Sequence, residues 1–553
     1  MHFVVKKNND PISPRRAAPT PAITSVRPKS HIPFWPQLIL SFQISKNRPL
    51  TNFHTGHSNQ KLTTQNVHMK KRILSMLATG LVALSAHAAE KPNVVIMLAD
   101  NLGYGDLSCY NGGIRGKFQT PNIDQLASEG MRFTQFLVEP GCTPSRAGLL
   151  TGQYSIRSGM SLVIAPGDGG GLQPDDITIG TALKSVGYNT TYIGKWHLGP
   201  NAHSQPQNQG FDQWLYGFKG STDSTQYNDS MLTTGAPEAF RKAAEVKLLE
   251  AKKPGGAAKA IGVYDINYRT QIEADIAEAA EDYIKKQAKK KDPFFLMIGW
   301  TRPHFPNDPH PDFEGSSGIG KYGDSVVELD ARTGQVLKAI DDAGVRDNTI
   351  VIWISDNGAT VTATVGDEIG HGSNGPFRGE LGDAFEGSIR TAGMIRWPAK
   401  IQPSVSNEMI SIHDFLPTLA NVSGAELPND RPYDGVDQTD WLTGEKAESN
   451  RDHLITFIGD RIAAVRWNQW RLYPMVVNAS TDTNPVIAGY LGKAEETNGF
   501  PRIYNIEADP REMQDTLVSG NAWVLAMYSK LIAQYKATLK EYPNPPAPNM
   551  TNL

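Results

Sequence analysis

Three short apolar runs that end in polar tips constrain this chain more than any other feature. Val94 to Ala99 (VVIMLA) is continuous apolar sequence of the kind a strand buried on both faces requires. It runs into Asp100-Asn101 and the Gly-rich turn Leu102-Gly103-Tyr104-Gly105-Asp106. The same syntax recurs twice. Pro293 to Trp300 (PFFLMIGW) follows a helical stretch, Tyr268 to Lys290, in which Ile272, Ile276, Ala279, Ala280 and Tyr283 fall near helical spacing. Thr349 to Ser355 (TIVIWIS) follows a second, Val326 to Ala343, and leads into Asp356-Asn357-Gly358. Helix, buried strand and polar tip in succession predict an α/β fold with a mostly parallel central sheet flanked by helices. In such sheets ligands bind beyond the carboxyl ends of the strands, where both Asp-Asn pairs sit.

Further along the pattern changes. Ala243 to Ala260 is rich in Lys, Ala and Gly and reads as a surface insertion. Ile462 to Met475 (IAAVRWNQWRLYPM) has the form of an antiparallel strand pair, Arg502 to Asn505 of another short strand, and Ala522 to Tyr542 of a closing helix. The expected organisation is a large domain over 89–450 and a smaller α+β subdomain with an antiparallel sheet over 451–553. With 553 residues, 39% of them hydrophobic, the chain is long enough to bury such a core, and two cysteines are too few for a disulfide scaffold.

Residues 1–88 read differently. Met69-Lys70-Lys71-Arg72, the apolar run Ile73 to Ser85 and Ala86-His87-Ala88 have the basic, apolar and small-x-small layout of a secretory signal peptide, with cleavage expected before Ala89. The apolar run is too short for a membrane span, which needs about 20 apolar residues. Residues 1–68 hold eight prolines and no usable period. A signal normally opens a chain, so Met69 is the expected initiator; the alternative is a long disordered extension. The expected product is exported, periplasmic or secreted. Twelve basic residues stand against Asp10 alone in 1–88, which leaves 42 basic and 56 acidic residues in 89–553. An acidic body of that kind repels phosphate backbones, so nucleic acid is not an expected partner.

Two motifs carry chemistry. One is Cys142-Thr143-Pro144-Ser145-Arg146-Ala147-Gly148-Leu149-Leu150-Thr151-Gly152; the other is Gly187-Tyr188-Asn189-Thr190 followed by Gly194-Lys195-Trp196-His197. They join the two Asp-Asn tips, Arg302-Pro303-His304-Phe305-Pro306, Glu386-Gly387 with Arg390, and Trp397-Pro398. Together these make the chain similar, over about Lys91 to Leu517, to the type I sulfatases of the alkaline-phosphatase-like superfamily.

The resemblance implies that Cys142 is oxidised by a formylglycine-generating maturation enzyme to Cα-formylglycine, whose hydrate attacks the sulfur of a sulfate monoester. One hydroxyl of the hydrate attacks and expels the alcohol; the other, once deprotonated, collapses to the aldehyde and ejects sulfate. An ordinary Ser or Cys ester would instead need water to attack sulfur. By the same resemblance Arg146 and Lys195 neutralise and bind the sulfate, His197 is the base for the collapse, and His304 donates a proton to the leaving oxygen. Histidines with an ordinary pKa of about 6.5 suit those tasks. Asp100, Asn101, Asp356, Asn357 and residue 142 are the implied ligands of one divalent cation. All are hard oxygen donors, which selects Ca²⁺, or else Mg²⁺, over a di-zinc phosphatase centre. Alone, an Asp-Asn pair at a strand end could merely start a turn. The implied substrates are sulfated small molecules or sulfated carbohydrates.

Two positions depart from the family pattern. Asn101 stands where most relatives have a second Asp, so one formal charge is lost although an amide oxygen still coordinates. In Gly375-Pro376-Phe377-Arg378-Gly379-Glu380-Leu381-Gly382, Leu381 stands where many relatives carry a lysine that contacts sulfate and leaving group. Arg378, His371 and Lys321 are the candidates to replace it, with Arg378 counted among the substrate-binding residues. Cys109 reads as a small buried residue. The competing functions are a phosphonate or phosphate ester hydrolase of the same superfamily, or a binding protein on an inactive scaffold.

Overall fold

β1 (Asn93–Asp100) is buried along its whole length because both of its faces are covered. Val94, Ile96 and Leu98 join one apolar cluster; Val95, Met97 and Ala99 join another. The computed structural model describes residues 91–546 apart from 112–117, 165–169, 362–363, 366–367, 370–371, 478–493 and 498. The signal segment 69–88, residues 1–68 and His371 lie outside the described residues.

Nine further strands complete the central sheet: β2 (Met131–Leu137), β3 (Asn189–Lys195), β4 (Gln213–Phe218), β5 (Lys247–Ala251), β6 (Lys259–Val263), β7 (Phe294–Pro303), β8 (Thr349–Ser355), β9 (Arg390–Arg396) and β10 (Ser404–Ser411). Their spatial order is β10-β2-β9-β8-β1-β7-β3-β4-β5-β6. β8, β1, β7, β3 and β4 are parallel neighbours, while β9 and β5 run against the other eight strands. The register brings four carboxyl ends level: Ala99 pairs with Ser355, Asp100 with Pro303, and Gly194 with Gly299.

Helices cover both faces. α1 (Pro121–Glu129) and α2 (Cys142–Thr151) pack on opposite sides, Leu126 in one cluster and Leu149 in the other. α3 (Ile272–Gln287) and α4 (Lys321–Asp342) join α1, and the helices Ile179–Ser185 and Phe415–Ser423 join α2. α3 illustrates why these segments are helical. Ile272, Ile276, Ala280, Tyr283 and Ile284 fall on one buried stripe, with Glu273 and Asp275 in the first turn and Lys285 and Lys286 in the last, the signs that the helix dipole favours.

The stretch 243–260 is not a simple surface insertion. It contributes β5 and the start of β6, an antiparallel extension of the sheet in which Leu248, Leu249 and Ala251 are buried. β6 is the exposed edge strand, and the lysines read as insertion chemistry are what blunts such an edge.

Beyond residue 450 a second sheet forms from β11 (His453–Ile458), β12 (Arg461–Trp467), β13 (Trp470–Tyr473) and β14 (Arg502–Asn505), antiparallel throughout. The closing helix α5 (Val524–Thr538) packs on it through Leu531 and Tyr535. Buried Glu386 ties this sheet to the central one. Its carboxylate receives Arg471 at 2.8 Å, Arg466 at 3.1 Å and Arg390 at 3.3 Å. Burial pushes the Glu386 pKa up, but the three guanidiniums outweigh it and hold it at about 2. Two residues on, the Ser388 carbonyl accepts from Gly358 N at 2.7 Å, directly behind Asn357. The small sheet thus braces the loop beneath the strand tips.

Candidate active site

Four adjacent strands deliver their last residues to one place. β1 ends at Asp100, β8 runs into Asp356-Asn357, β3 ends at Lys195, and β7 is followed at once by His304. Asn101 has φ 62° and His197 φ 59°, left-handed conformations that a non-glycine residue holds only when its surroundings enforce them. For Asn101 the enforcement is visible. Its backbone N–H donates to Asp356 Oδ1 at 3.1 Å, and its side-chain oxygen accepts from Asn357 Nδ2 at 2.8 Å. β3 and β7 approach closely at Gly194 and Gly299: a Cβ on Gly194, itself at φ 94°, would lie 2.3 Å from the Gly299 carbonyl oxygen.

The cysteine motif supplies the roof. Cys142 is the first residue of α2 and is 3% exposed. Pro144 sits in the first turn, where its missing N–H breaks no helical bond. Thr143 donates to the His197 carbonyl at 3.0 Å, and Ser145 to the Glu139 carbonyl at 3.0 Å. Arg146 lies one turn after Cys142 on the same side of the helix. Its guanidinium grips Asp356 Oδ2 through Nε at 3.1 Å and NH2 at 2.9 Å, donates to the Lys195 carbonyl at 3.0 Å, and stands 3.6 Å from Asp100 Oδ1. Lys195 Nζ donates to Asp100 Oδ2 at 2.6 Å. The ligating atoms of Asp100, Cys142 and His304 all lie within 4.8 Å of one another.

Charge is concentrated here without solvent to dilute it. Asp100, Arg146, Lys195, His197, Asp356 and Asn357 are all fully buried. Burial raises the Asp100 pKa, but Lys195, His304 and Arg146 win and hold it well below the usual range. Asp356 goes the other way, pushed up to about 7 by burial and by the neighbouring Asp100 charge. Burial drives the Cys142 thiol up to about 12, so the unmodified side chain is neutral. Burial and the Lys195 charge lower both His197 and His304. The His197 ring is oriented by the Ile164 carbonyl, 3.2 Å from Nε2; a carbonyl only accepts, so Nε2 carries the proton and Nδ1, buried without a hydrogen-bond partner, is the basic nitrogen. His304 is anchored through Nδ1 to the Phe305 carbonyl at 2.6 Å, leaving Nε2 toward Ser221 Oγ at 3.3 Å.

The donor set fits a hard divalent cation. Asp100 Oδ1 and Asn357 Oδ1 are buried oxygens with no hydrogen-bond donor, a condition that costs about 1–3 kcal/mol per group unless something else satisfies them. With Asn101 and Asp356 they make an all-oxygen set carrying two carboxylates, the chemistry such an ion takes.

Arg378 is the exception among the expected residues. Its guanidinium lies over the Phe385 ring, 4.0 Å from the centroid, and donates to the Glu512 carbonyl at 3.0 Å, so it makes its contacts away from the buried cluster. The Glu512 backbone carbonyl and the cation–π face hold it there. Lys321 pairs with Asp308 at 2.6 Å at the start of α4. Cys109 is half-buried rather than buried, its backbone N–H bound to Asp124. Two residues escaped the sequence reading: Thr222, which donates to Asp100 Oδ2 at 2.8 Å, and Ser221 beside His304. Short hydroxyl side chains in a Gly-Ser-Thr loop carry no spacing that would single them out.

Comparison with known proteins agrees with this geometry. The sulfatase family model matches residues 92–425. Homo sapiens steryl-sulfatase is 30% identical over 550 residues, covering 86% of this chain and 93% of the relative. Homo sapiens arylsulfatase A is 34% identical over 470 residues, covering 81% and 86%. The crystal structure of the PsFucS1 sulfatase from Pseudoalteromonas sp. matches with a TM-score of 0.76 at 30% identity, covering 87% of this chain and 96% of that one. Every strand tip that meets at the cluster falls within the matched residues, and the chain belongs to the sulfatase family: it is an enzyme that hydrolyses sulfate esters on an alkaline-phosphatase-like fold.

Proposed function

We propose that hydrolysis takes place at residue 142, matured from Cys142 to Cα-formylglycine, beside one Ca²⁺ held by Asp100, Asn101, Asp356, Asn357 and residue 142, Mg²⁺ being the other ion these donors suit. The observation that carries this reading is the convergence of Cys142, Arg146 and Lys195 on the buried carboxylates of Asp100 and Asp356, with Asp100 Oδ1 and the adjacent Asn357 Oδ1 left without donors. The hydrated aldehyde supplies a nucleophilic hydroxyl and a second one through which sulfate can be released. When bound, the cation would supply positive charge for the sulfate oxygens in a dry site.

The chain's own groups do the rest. Arg146 and Lys195 present fixed positive charge where the sulfate oxygens gather, and preorganised charge away from water is usually the largest catalytic contribution. His197, with Nδ1 free to accept, takes a proton at residue 142. With Nδ1–H held by the Phe305 carbonyl, His304 delivers a proton from Nε2 to the departing alcohol oxygen as the imidazolium, the form that the neighbouring Asp100 charge favours against burial. Substrates are sulfated small molecules or sulfated carbohydrates, and a formylglycine-generating enzyme is the required maturation partner. We place the catalytic domain at 89–450, the C-terminal subdomain at 451–553 and an export signal at 69–88. Among the described residues no helix is long and apolar enough to cross a membrane.

Metal analysis tests the proposal. One Ca²⁺ or Mg²⁺ per chain is expected, with activity and melting temperature both falling on chelation. Asn101→Asp, which adds a third carboxylate, should tighten cation binding by roughly an order of magnitude. Two zinc ions per chain would overturn the assignment and favour phosphatase chemistry. Export has its own test: N-terminal sequencing of the secreted protein should begin near Ala89, and retention of residues 1–68 on that product would reject the signal.

A further inference from the structure

Beside the cluster lies a cavity of about 550 Å³. It meets the cluster at two points: Ile164, whose carbonyl orients His197, and Ser221, which faces His304. Each histidine therefore stands one hydrogen bond behind its wall. His304 is the group assigned to the departing oxygen, and this cavity lies one residue beyond it, past Ser221.

The walls define what fits. Pro200, Tyr227, Val246 and Leu249 are apolar or aromatic. Ala243 and Ala244, the last turn of the short helix Glu238–Ala244, form an exposed rim; no residue of that helix is buried. Several polar groups along the wall are already engaged. Lys247 pairs with Glu245, Ser224 donates to the Ser221 carbonyl at 2.6 Å, and Lys219 donates to the Pro200 carbonyl at 2.9 Å. A polysulfated or uronate-bearing saccharide brings further negative charge and many hydroxyls. Here it would meet Glu245, two lysines that are already engaged, and a wall that is mainly hydrocarbon. A ring system loses nothing by entering, and the size is generous: an apolar cavity of about 150 Å³ already holds benzene.

We propose that this cavity receives the alcohol half of the ester, and that the alcohol is a bulky, largely apolar aryl or alicyclic ring system selected by the 219–249 segment. The proposal rests on residue 142 being the reaction centre. The test compares kcat/KM for nitrophenyl sulfate, a fused-ring alcohol sulfate and a monosaccharide sulfate in the mature wild-type enzyme, Ala243→Trp and Tyr227→Ala. The wild type should prefer the fused-ring ester to the sugar ester by at least about tenfold. Ala243→Trp, which fills the rim from an exposed helix, should cost the fused-ring ester about tenfold or more while nitrophenyl sulfate stays near its wild-type value. Tyr227→Ala should shift the two esters in the same unequal way, and it decides the matter should the tryptophan variant not fold. A wild-type preference for the sugar sulfate, or equal effects on small and bulky esters in both variants, would overturn the proposal. Failure of the reaction-centre reading shows separately, as a Cys142→Ala enzyme that still turns over nitrophenyl sulfate.

Discussion

Cys142→Ala is expected to fold normally and to lose sulfate ester hydrolysis by roughly 10⁴-fold or more, the scale on which removal of a covalent nucleophile is felt. Folding should survive because the substitution removes a single sulfur at the start of α2. The contacts that place that turn belong to Thr143, Ser145 and Arg146. Catalysis should not survive, because the other groups of the cluster are bound into it: the Thr222 hydroxyl donates to Asp100 and the Ser221 hydroxyl faces His304. Lys195 and Arg146 are cations, Asp100 and Asp356 are committed to them, and His197 is a base. What remains is charge stabilisation alone, and a small residual rate is its expected signature. Turnover of nitrophenyl sulfate together with a melting curve checks the prediction. Near wild-type turnover would refute the role of residue 142.

The second large effect depends on the substrate. His304→Ala should slow alkyl or sugar sulfates by about 10²–10⁴-fold, the usual contribution of a positioned acid, and nitrophenyl sulfate far less, since its phenolate departs without a proton. The family lysine that could share this work is absent: position 381 is a leucine, buried, with its backbone N–H bound to the Ala359 carbonyl. Arg378 lies over Phe385 and donates to the Glu512 carbonyl, and Lys321 pairs with Asp308, so in this arrangement both candidate replacements are engaged elsewhere. Rates on paired activated and unactivated esters measure the difference. Equal losses would mean that a second acid serves the leaving group.

The parts of the fold that were legible in the sequence are those where one physical demand dominates. Ile350 to Ile354 had to be apolar throughout because helices cover both faces of the sheet, and β8 occupies those residues. Cys142 and Arg146 are four residues apart, so once α2 is a helix they share a side. The edge hairpin β5–β6 was not legible. Its buried face amounts to Leu248, Leu249 and Ala251, too little to stand out among lysines and glycines. Arg378 shows a different limit: its place in the chain beside family residues says nothing about which way a long side chain turns. Phe385 and Glu512, seven and more than a hundred residues away, settle that. Nor does sequence reveal that Asn101 and His197 adopt left-handed backbone, a consequence of how four strand tips crowd together.

The account turns on the chemical state of one side chain. The mass of the peptide carrying residue 142, from protein made in cells that contain a formylglycine-generating enzyme, tests it most directly. The account predicts that the sulfur is gone and an aldehyde oxygen stands in its place, captured by a hydrazide probe. Fully active enzyme whose residue 142 is an intact thiol throughout would contradict it.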